Sequence, residues 1–272
     1  MIQKTLLFVG MTLSLCAGAA DKASAPATWK EPLSGMEFVA VPKGCFQMGN
    51  SPAVVFREKF AGLPLSYHDT PFNDELPRHE ACVDAFWMGR HEVRNDEWQR
   101  VMGGPRPARP DAPIANVTWE QATAFAARLT ERSGGKHRFR LPTEAEWEYA
   151  CRAGASDEIV PTLGDLADRA WYVVEPDGIR NETQPVGKLA PNAFGLHDML
   201  GNVWEWVQDG YQADAYQRHE LFNPATPAAG SSRVIRGASF RSEPIHVRCA
   251  RRNQYAATDS LRTIGLRLVR IP

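Results

Sequence analysis

Glycine and proline interrupt this chain so often that a fold built from long helices is excluded. The 272 residues include 21 Gly, 20 Pro and eight Trp. Gly and Pro break helices and favour turns, whereas large aromatic side chains anchor cores between short elements. The composition therefore indicates a compact, loop-rich fold, with a length that suits one large domain or two small ones.

Two local patterns nevertheless predict helices. Thr118-Trp-Glu-Gln121 is a capping box, in which side chains satisfy free backbone N–H groups, and it predicts a helix through about Glu131. Thr143-Glu-Ala-Glu146 is a second capping box, and Gly154 is placed to end that helix. Most of the remaining chain has the pattern of short strands and turns. The expected fold class is α+β.

The N-terminus has the pattern of an export signal over residues 1–20. Lys4 supplies the positive charge, Thr5 to Cys16 is uncharged and largely apolar, and four small residues follow. A membrane anchor is less consistent, because a span needs about 20 apolar residues. A lipoprotein would use Cys16, but the preceding residue is Leu15, where a small residue is expected. We expect a periplasmic or secreted protein.

Residues 21–35 are rich in Ala, Pro, Ser and Lys and are expected to be a disordered lead-in, followed by one domain over residues 36–272. The formal net charge of −1 gives no argument for a nucleic-acid or anionic-membrane partner. No stretch after residue 25 is apolar and long enough to span a bilayer, so no stable membrane insertion is expected after signal removal.

Four cysteines follow the predicted signal, and an even number in an exported protein favours disulfides. Cys45 and Cys82 lie in two short apolar runs, and pairing these runs as strands would bring the thiols into bonding range. Cys151 and Cys249 would form the remaining pair.

Six segments in order resemble the sulfatase-modifying-factor family, whose founding members are formylglycine-generating enzymes. The resemblance covers nearly the whole chain from about Phe38. The segments are Phe38–Gly49, Val83–Val93, Leu141–Gly154 (LPTEAEWEYACRAG), Gly195–Trp206 (GLHDMLGNVWEW), Val234–Phe240 (VIRGASF) and Thr263–Leu268 (TIGLRL).

The resemblance implies one loop-rich domain related to C-type lectins. It also implies that cysteines at the positions of Cys151 and Cys249 usually pair with other cysteines, which this chain lacks. The second disulfide is therefore less strongly predicted than the first.

Calcium is the metal that the sequence favours. Asn202 and Glu205 place an amide oxygen and a carboxylate three residues apart in a turn that begins with Gly201, which suits a hard cation with oxygen ligands. By resemblance, Asn202 and Glu205 are side-chain calcium ligands and Val203 is a carbonyl ligand. The alternative is that Asn202 caps a turn and Glu205 pairs with an arginine. The seven histidines show no metal-binding helix spacing such as HExxH.

Copper is not expected. Formylglycine-generating enzymes that this chain resembles bind copper(I) through two cysteines between a Gly-Gly-Ser-Phe-like motif and an Arg-Cys-Ala motif. Here the interval from Gly237 to Ala250 is shorter and contains no cysteine before Cys249, which matches a structural cysteine. Copper(I) requires soft ligands, so conversion of cysteine to formylglycine by the family mechanism is disfavoured.

Polar and charged residues occupy this interval instead, and by analogy they border the substrate groove. Glu243 and His246 are predicted as a general base and acid, provided that a groove shifts their pKa values towards neutrality. The non-catalytic alternative is that Glu243 forms a surface ion pair with Arg241 or Arg248. The full predicted set is Ser239, Glu243, His246 and Arg248 as catalytic residues, and Arg241, Ser242 and Arg251 as substrate-binding residues.

The leading functional hypothesis is an exported maturation factor that binds a peptide or peptide-like substrate and promotes its oxidation. Members without the copper cysteines include one that oxidises the chromophore of pyoverdine-type siderophores and accessory proteins of nitrite reductase. The rival hypothesis is a non-catalytic accessory or binding module. A true formylglycine-generating enzyme that acts on sulfatases is the weakest of the three.

Overall fold

The computed structural model describes residues 26–50, 72–154, 166–173 and 182–271. The predicted signal peptide lies outside these ranges, as does most of the segment from Ser51 to Phe72. Within the described ranges the fold is α+β and rich in loops, as the sequence predicts. The helices are α1 Asn95–Met102, α2 Trp119–Arg132 and α3 Glu144–Arg152.

Short strands make up most of the regular structure. They are β1 Thr28–Lys30, β2 Glu37–Val41, β3 Gly44–Met48, β4 His79–Val83, β5 Phe86–Gly89, β6 Arg138–Arg140, β7 Ala170–Trp171, β8 Leu200–Gly201, β9 Trp204–Gly210, β10 Ser232–Arg236, β11 Arg252–Ala256, β12 Ile264–Leu266 and β13 Val269–Ile271.

The largest sheet joins the two ends of the described chain. Its order is β1-β2-β5-β13-β6, and every neighbouring pair is antiparallel. Strand β13, near the end of the chain, therefore lies between β5 and β6, which precede it by more than 100 residues. This topology makes the described ranges one domain.

The predicted disorder of residues 21–35 is wrong for its second half. Strand β1 pairs with β2, with Trp29 opposite Phe38. The following turn buries Glu31, whose Oε2 accepts hydrogen bonds from the backbone N–H groups of Leu33 and Ser34. Composition alone did not indicate this strand pairing or this turn.

The second sheet carries the Trp-Glu-Trp motif. Its order is β11-β10-β9-β12, in which β9 and β12 are parallel. Trp204 and Trp206 on β9 are buried, as is Trp147 on α3, so all three are core anchors. The pair β7–β8 leads directly into β9.

The two predicted helices are confirmed, and their capping boxes form. Thr118 accepts from the Gln121 N–H, and Thr143 accepts from the Glu146 N–H. Helix α3 ends where Ala153 and Gly154 adopt positive φ angles. Helix α1 was not predicted, because its N-cap is Arg94 and not one of the usual small polar residues. None of the helices in the described ranges is long and apolar enough to cross a membrane.

Both predicted disulfides are confirmed. Cys45 and Cys82 face each other across β3 and β4, and their sulfur atoms are 2.06 Å apart. Cys151 on α3 is bonded to Cys249 with an S–S distance of 2.02 Å. All four cysteines in the described ranges are therefore oxidised.

Helix α3 is held by a buried network of charges. Glu144 pairs with Arg236 at 3.1 Å and with Arg252 at 2.7 Å. Glu148 pairs with Arg152 at 2.6 Å and also contacts Arg236. The two glutamates and three arginines are almost completely excluded from solvent. Removal of one partner would leave a buried charge uncompensated, which is far costlier than loss of a surface pair.

We expect Glu148→Gln to lower the free energy of unfolding by about 3–5 kcal/mol, because Arg152 and Arg236 lose a buried carboxylate. Urea unfolding measures the loss. Glu120→Gln on the exposed side of α2 is the matched control, with an expected change within about 0.5 kcal/mol. Equal effects of the two substitutions would contradict the structural role of the network.

Candidate functional site

The turn between β8 and β9 fixes the centre of the candidate site. Gly201 has a φ of +82°, and a Cβ there would lie 2.2 Å from the carbonyl oxygen of Trp171. No other residue type fits this position, because the backbones approach too closely. Asn202 follows with a φ of 53° and is completely buried.

The Asn202 side chain joins three separate segments. Its Nδ2 donates to Glu92 Oε2 at 2.7 Å and to the Gln184 carbonyl at 3.2 Å. Its Oδ1 accepts the Gln184 N–H at 2.9 Å. The backbone carbonyl of Asn202 accepts the Phe240 N–H at 2.8 Å. The turn thereby positions the Gly-Ala-Ser-Phe segment (residues 237–240), which is predicted by analogy to border the substrate groove.

Glu205 forms a buried ion pair. Arg267 Nη2 donates to Glu205 Oε1 at 2.8 Å, and Arg267 Nε is 3.1 Å from both carboxylate oxygens. Trp147 Nε1 donates to Oε2 at 2.7 Å. These bonds connect β9, the segment between β12 and β13, and α3.

The predicted calcium ligands do not fit calcium as they are placed. Asn202 Oδ1 already accepts the Gln184 N–H, and both Glu205 oxygens accept from Arg267. Because Arg267 neutralises the Glu205 carboxylate and occupies its oxygens, that carboxylate is a poor ligand for a divalent cation. The observed geometry agrees with the alternative stated in the sequence analysis: Asn202 lies in a turn and Glu205 pairs with an arginine. In the described ranges, no three His, Cys, Asp or Glu residues are grouped to hold a metal ion.

The buried carboxylate of Asp198, close to this turn, is only partly hydrogen-bonded. Asp198 Oδ1 is buried without a hydrogen-bond partner, while Oδ2 accepts the Gly187 N–H at 2.6 Å. Burial raises the pKa of Asp198, and burial together with the charges of Asp198 and Glu205 raises the pKa of Glu92 well above its usual value. Three carboxylates thus share the charge of Arg267, so a proton or a cation must balance the excess.

The predicted serines are part of a tight turn and do not face a groove. Ser239 and Ser242 are both buried, and their hydroxyl oxygens are 3.4 Å apart. Ser242 Oγ also accepts the Ser239 N–H at 2.9 Å. Each hydroxyl is used within the turn, so the catalytic assignment of Ser239 and the substrate-binding assignment of Ser242 lack support from the geometry.

His246, the histidine of the predicted acid–base pair, does not meet the condition of a pKa near neutrality. Burial, followed by the charges of Arg251 and Arg248, lowers the pKa of His246 to about 4, away from neutrality. Glu243 is exposed. A general acid or base is most effective when its pKa is near the working pH. His246 stays neutral at pH 7 and is a poor proton donor there.

Arg248 is a structural residue, and its predicted catalytic role is corrected. It is completely buried, and its two Nη atoms donate to Glu75 at 2.9 and 2.7 Å. Arg251 is partly exposed, lies 3.8 Å from Glu75 and stacks over Phe72 with its Cζ 4.9 Å from the ring centroid. Arg241 is exposed. Arg251 and Arg241 therefore remain accessible to a substrate, whereas Arg248 does not.

A cleft of about 270 Å³ lies beside Phe240, the last residue of the Gly-Ala-Ser-Phe segment. This size is near the lower end for small-molecule sites. Glu182 on its rim pairs with Arg109 at 3.0 Å, and Arg109 also donates to the Thr183 carbonyl. The lining residues are Asn95, Pro113, Ala115, Asn116, Glu182, Thr183, Phe240 and Arg262.

The groups that line the cleft are chemically suited to binding. Its carboxamides offer donors and acceptors to a peptide backbone, and its rim carries both charge signs. No cysteine or histidine is among its lining residues. Sequence reasoning missed these residues, except for Phe240 as a neighbour of Ser239 and Arg241. Five separate segments contribute them, and no local motif groups them.

Comparisons with known proteins agree with this architecture. Residues 23–272 match the family described as sulfatase-modifying factor enzyme 1-like domain. The formylglycine-generating enzyme of Bos taurus is 35% identical over 300 residues, which cover 85% of this chain and 74% of that protein. The chain spans only about half of the corresponding Mus musculus and Streptomyces coelicolor enzymes, at 52% each.

Two further comparisons, one with a curated protein and one with a solved structure, give the same family. The inactive C-alpha-formylglycine-generating enzyme 2 of Mus musculus is 32% identical over 179 residues, covering 61% of this chain and 50% of that protein. The solved structure of PvdO from Pseudomonas aeruginosa superposes with a TM-score of 0.73 at 29% identity, covering 92% of this chain and all of that one. The protein therefore belongs to the formylglycine-generating-enzyme, or sulfatase-modifying factor, family.

Proposed function

We propose that this protein is an exported maturation factor that binds a peptide or peptide-derived substrate in the cleft beside Phe240 and acts without a copper dithiolate. One observation carries the proposal: the cleft borders the Gly-Ala-Ser-Phe segment, while every cysteine in the described ranges is in a disulfide. The similarity to PvdO supports a maturation role.

Two features support export. The N-terminal pattern is that of a signal peptide, and disulfides persist in oxidising compartments such as the periplasm. We therefore place the mature protein in the periplasm or the medium. No nucleic-acid or membrane partner enters the proposal, because the net charge of −1 gives no electrostatic basis for either.

The second candidate is a non-catalytic accessory module. It is favoured by the low pKa of His246 and by the absence of thiols and histidines from the cleft lining. Both candidates use the cleft for recognition. They differ in whether the bound peptide is chemically changed, so the masses of cellular peptides separate them.

We expect a gene deletion to accumulate a peptide precursor in the exported fraction, detectable by mass spectrometry, and wild type to restore the product. Ala115→Trp should fail to restore it, because the indole fills the cleft that Ala115 lines. Ala213→Trp is the matched control, since Ala213 is exposed and does not line the cleft. Both variants should melt near wild type.

Equal restoration by the two tryptophan variants would remove the cleft from the proposal. An unchanged peptide profile in the deletion strain, together with loss of a partner protein's activity, would establish the accessory role instead.

Calcium remains a proposal, with Asp198 and not Asn202 or Glu205 as the side-chain ligand. A ligand that binds only the folded state raises the melting temperature. We expect calcium to raise it relative to chelator at matched ionic strength, and Asp198→Asn to abolish the increment because the unpaired carboxylate oxygen loses its charge. Glu205→Gln should melt lower in both buffers and keep the increment, because it breaks the Arg267 pair.

An increment that disappears only in Glu205→Gln would reinstate the original ligand assignment. The absence of any increment in wild type would mean that a proton and not calcium balances the carboxylates.

A further inference from the structure

A second site, which shares no lining residue with the cleft beside Phe240, is centred on Arg270. The Arg270 Cζ lies 4.5 Å from the ring centroid of Trp29 and 4.7 Å from that of Trp87. Trp87 and Arg270 are cross-strand partners on β5 and β13. Stacking on two indole rings holds the planar guanidinium in one orientation before any ligand arrives.

Within the part of the chain that the structure describes, Arg270 forms no ion pair with a carboxylate. The four completely buried arginines of the described ranges each contact a glutamate, namely Arg236, Arg248, Arg252 and Arg267. By contrast, the polar contact of Arg270 in the same ranges is His137 Nδ1, at 3.5 Å from Nη1, and its Nε is buried without a partner. A partly desolvated cation without a counter-charge favours an anionic ligand.

A recess of about 320 Å³ has His137, the contact of Arg270, in its lining, although Arg270 itself is not one of the lining residues. The His137 ring stacks edge-on against Trp29, with centroids 4.7 Å apart, and also lines the recess. Pro32 and Leu33 give the recess an apolar wall, while Arg132 and Lys136 add positive charge.

The acidic residue of the recess does not cancel this charge fully. Glu31 is buried, and its Oε2 accepts from the Leu33 N–H, the Ser34 N–H and the Ser34 hydroxyl. These donors stabilise the carboxylate in place. The recess lining therefore holds two cations, Arg132 and Lys136, and one carboxylate that is already hydrogen-bonded.

We propose that Arg270, His137 and this recess form a binding site for a small organic carboxylate with a compact apolar body. The fork of N–H groups on Arg270 matches two carboxylate oxygens, and Lys136 adds attraction at the rim. The apolar body packs against Pro32 and Leu33. The planar, oriented guanidinium distinguishes this site from a diffuse basic surface.

The test titrates the full-length folded protein with benzoate and follows the indole N–H signals of a nitrogen-15-labelled sample. Saturable shifts are expected for Trp29 and Trp87, assigned through Trp29→Phe and Trp87→Phe, and not for Trp119. Benzamide, which lacks the charge, should not bind. Inorganic phosphate should bind more weakly, because it has no apolar body for the recess.

Arg270→Gln should weaken benzoate binding by about tenfold or more, and Arg270→Lys should restore only part of it, because the ammonium lacks the fork. Arg233→Gln is the matched control, since Arg233 also lies over a tryptophan, at 4.6 Å from the Trp119 ring. Lys136→Gln, at an exposed position, keeps the test valid if the Arg270 variants fold poorly, and it should weaken binding by a few fold.

Absence of saturable shifts in wild type, equal binding by Arg270→Gln, or equal binding of benzamide would overturn the site. Binding of phosphate as tight as that of benzoate would overturn the carboxylate class. None of these outcomes depends on the peptide cleft, so the two proposals fail independently.

Discussion

The turn at Gly201 and Asn202 is the constraint on which the candidate site depends. Gly201 allows the backbone of Trp171 to approach more closely than any side chain permits. The side-chain amide of Asn202 forms hydrogen bonds with Glu92 and Gln184, and its backbone carbonyl accepts the Phe240 N–H. A buried ion pair between Glu205 and Arg267 fixes β9, the strand that follows the turn. Because these bonds are buried and mutually dependent, the Phe240 side of the cleft has one position relative to the core.

The same construction explains why the charged C-terminal residues are poor candidates for catalysis. Arg236, Arg248 and Arg252 are completely buried, and each is paired with a glutamate. Their role is to hold α3 and the segment that follows β10. The four cysteines of the described ranges are likewise committed to disulfides, one between β3 and β4 and one between α3 and the turn that contains Cys249. The accessible chemistry that remains in the described site is recognition by amides and charged rim residues.

Sequence reasoning succeeded where the signal was local. Capping boxes gave α2 and α3, and the two strand-like runs gave the Cys45–Cys82 pair, because each depends on residues with defined spacing. It failed where contacts between segments decide and no local pattern marks them. Arg248 was predicted to be catalytic, but it is bound by Glu75, which is 173 residues away in the sequence. The cleft was missed because Asn95, Asn116, Glu182 and Phe240 come from separate segments, and β1 was missed because its partner β2 supplies its stability.

The central claim is that this family member does not use the copper-thiolate chemistry of formylglycine formation. The most direct measurement incubates the folded, oxidised protein with a cysteine-containing sulfatase-type peptide, with and without copper(I), and detects aldehyde in the peptide by mass spectrometry. We expect no aldehyde in either condition, because copper(I) needs soft ligands and both cysteine pairs are in disulfides. Copper-dependent aldehyde formation that Cys249→Ser abolishes would contradict the account.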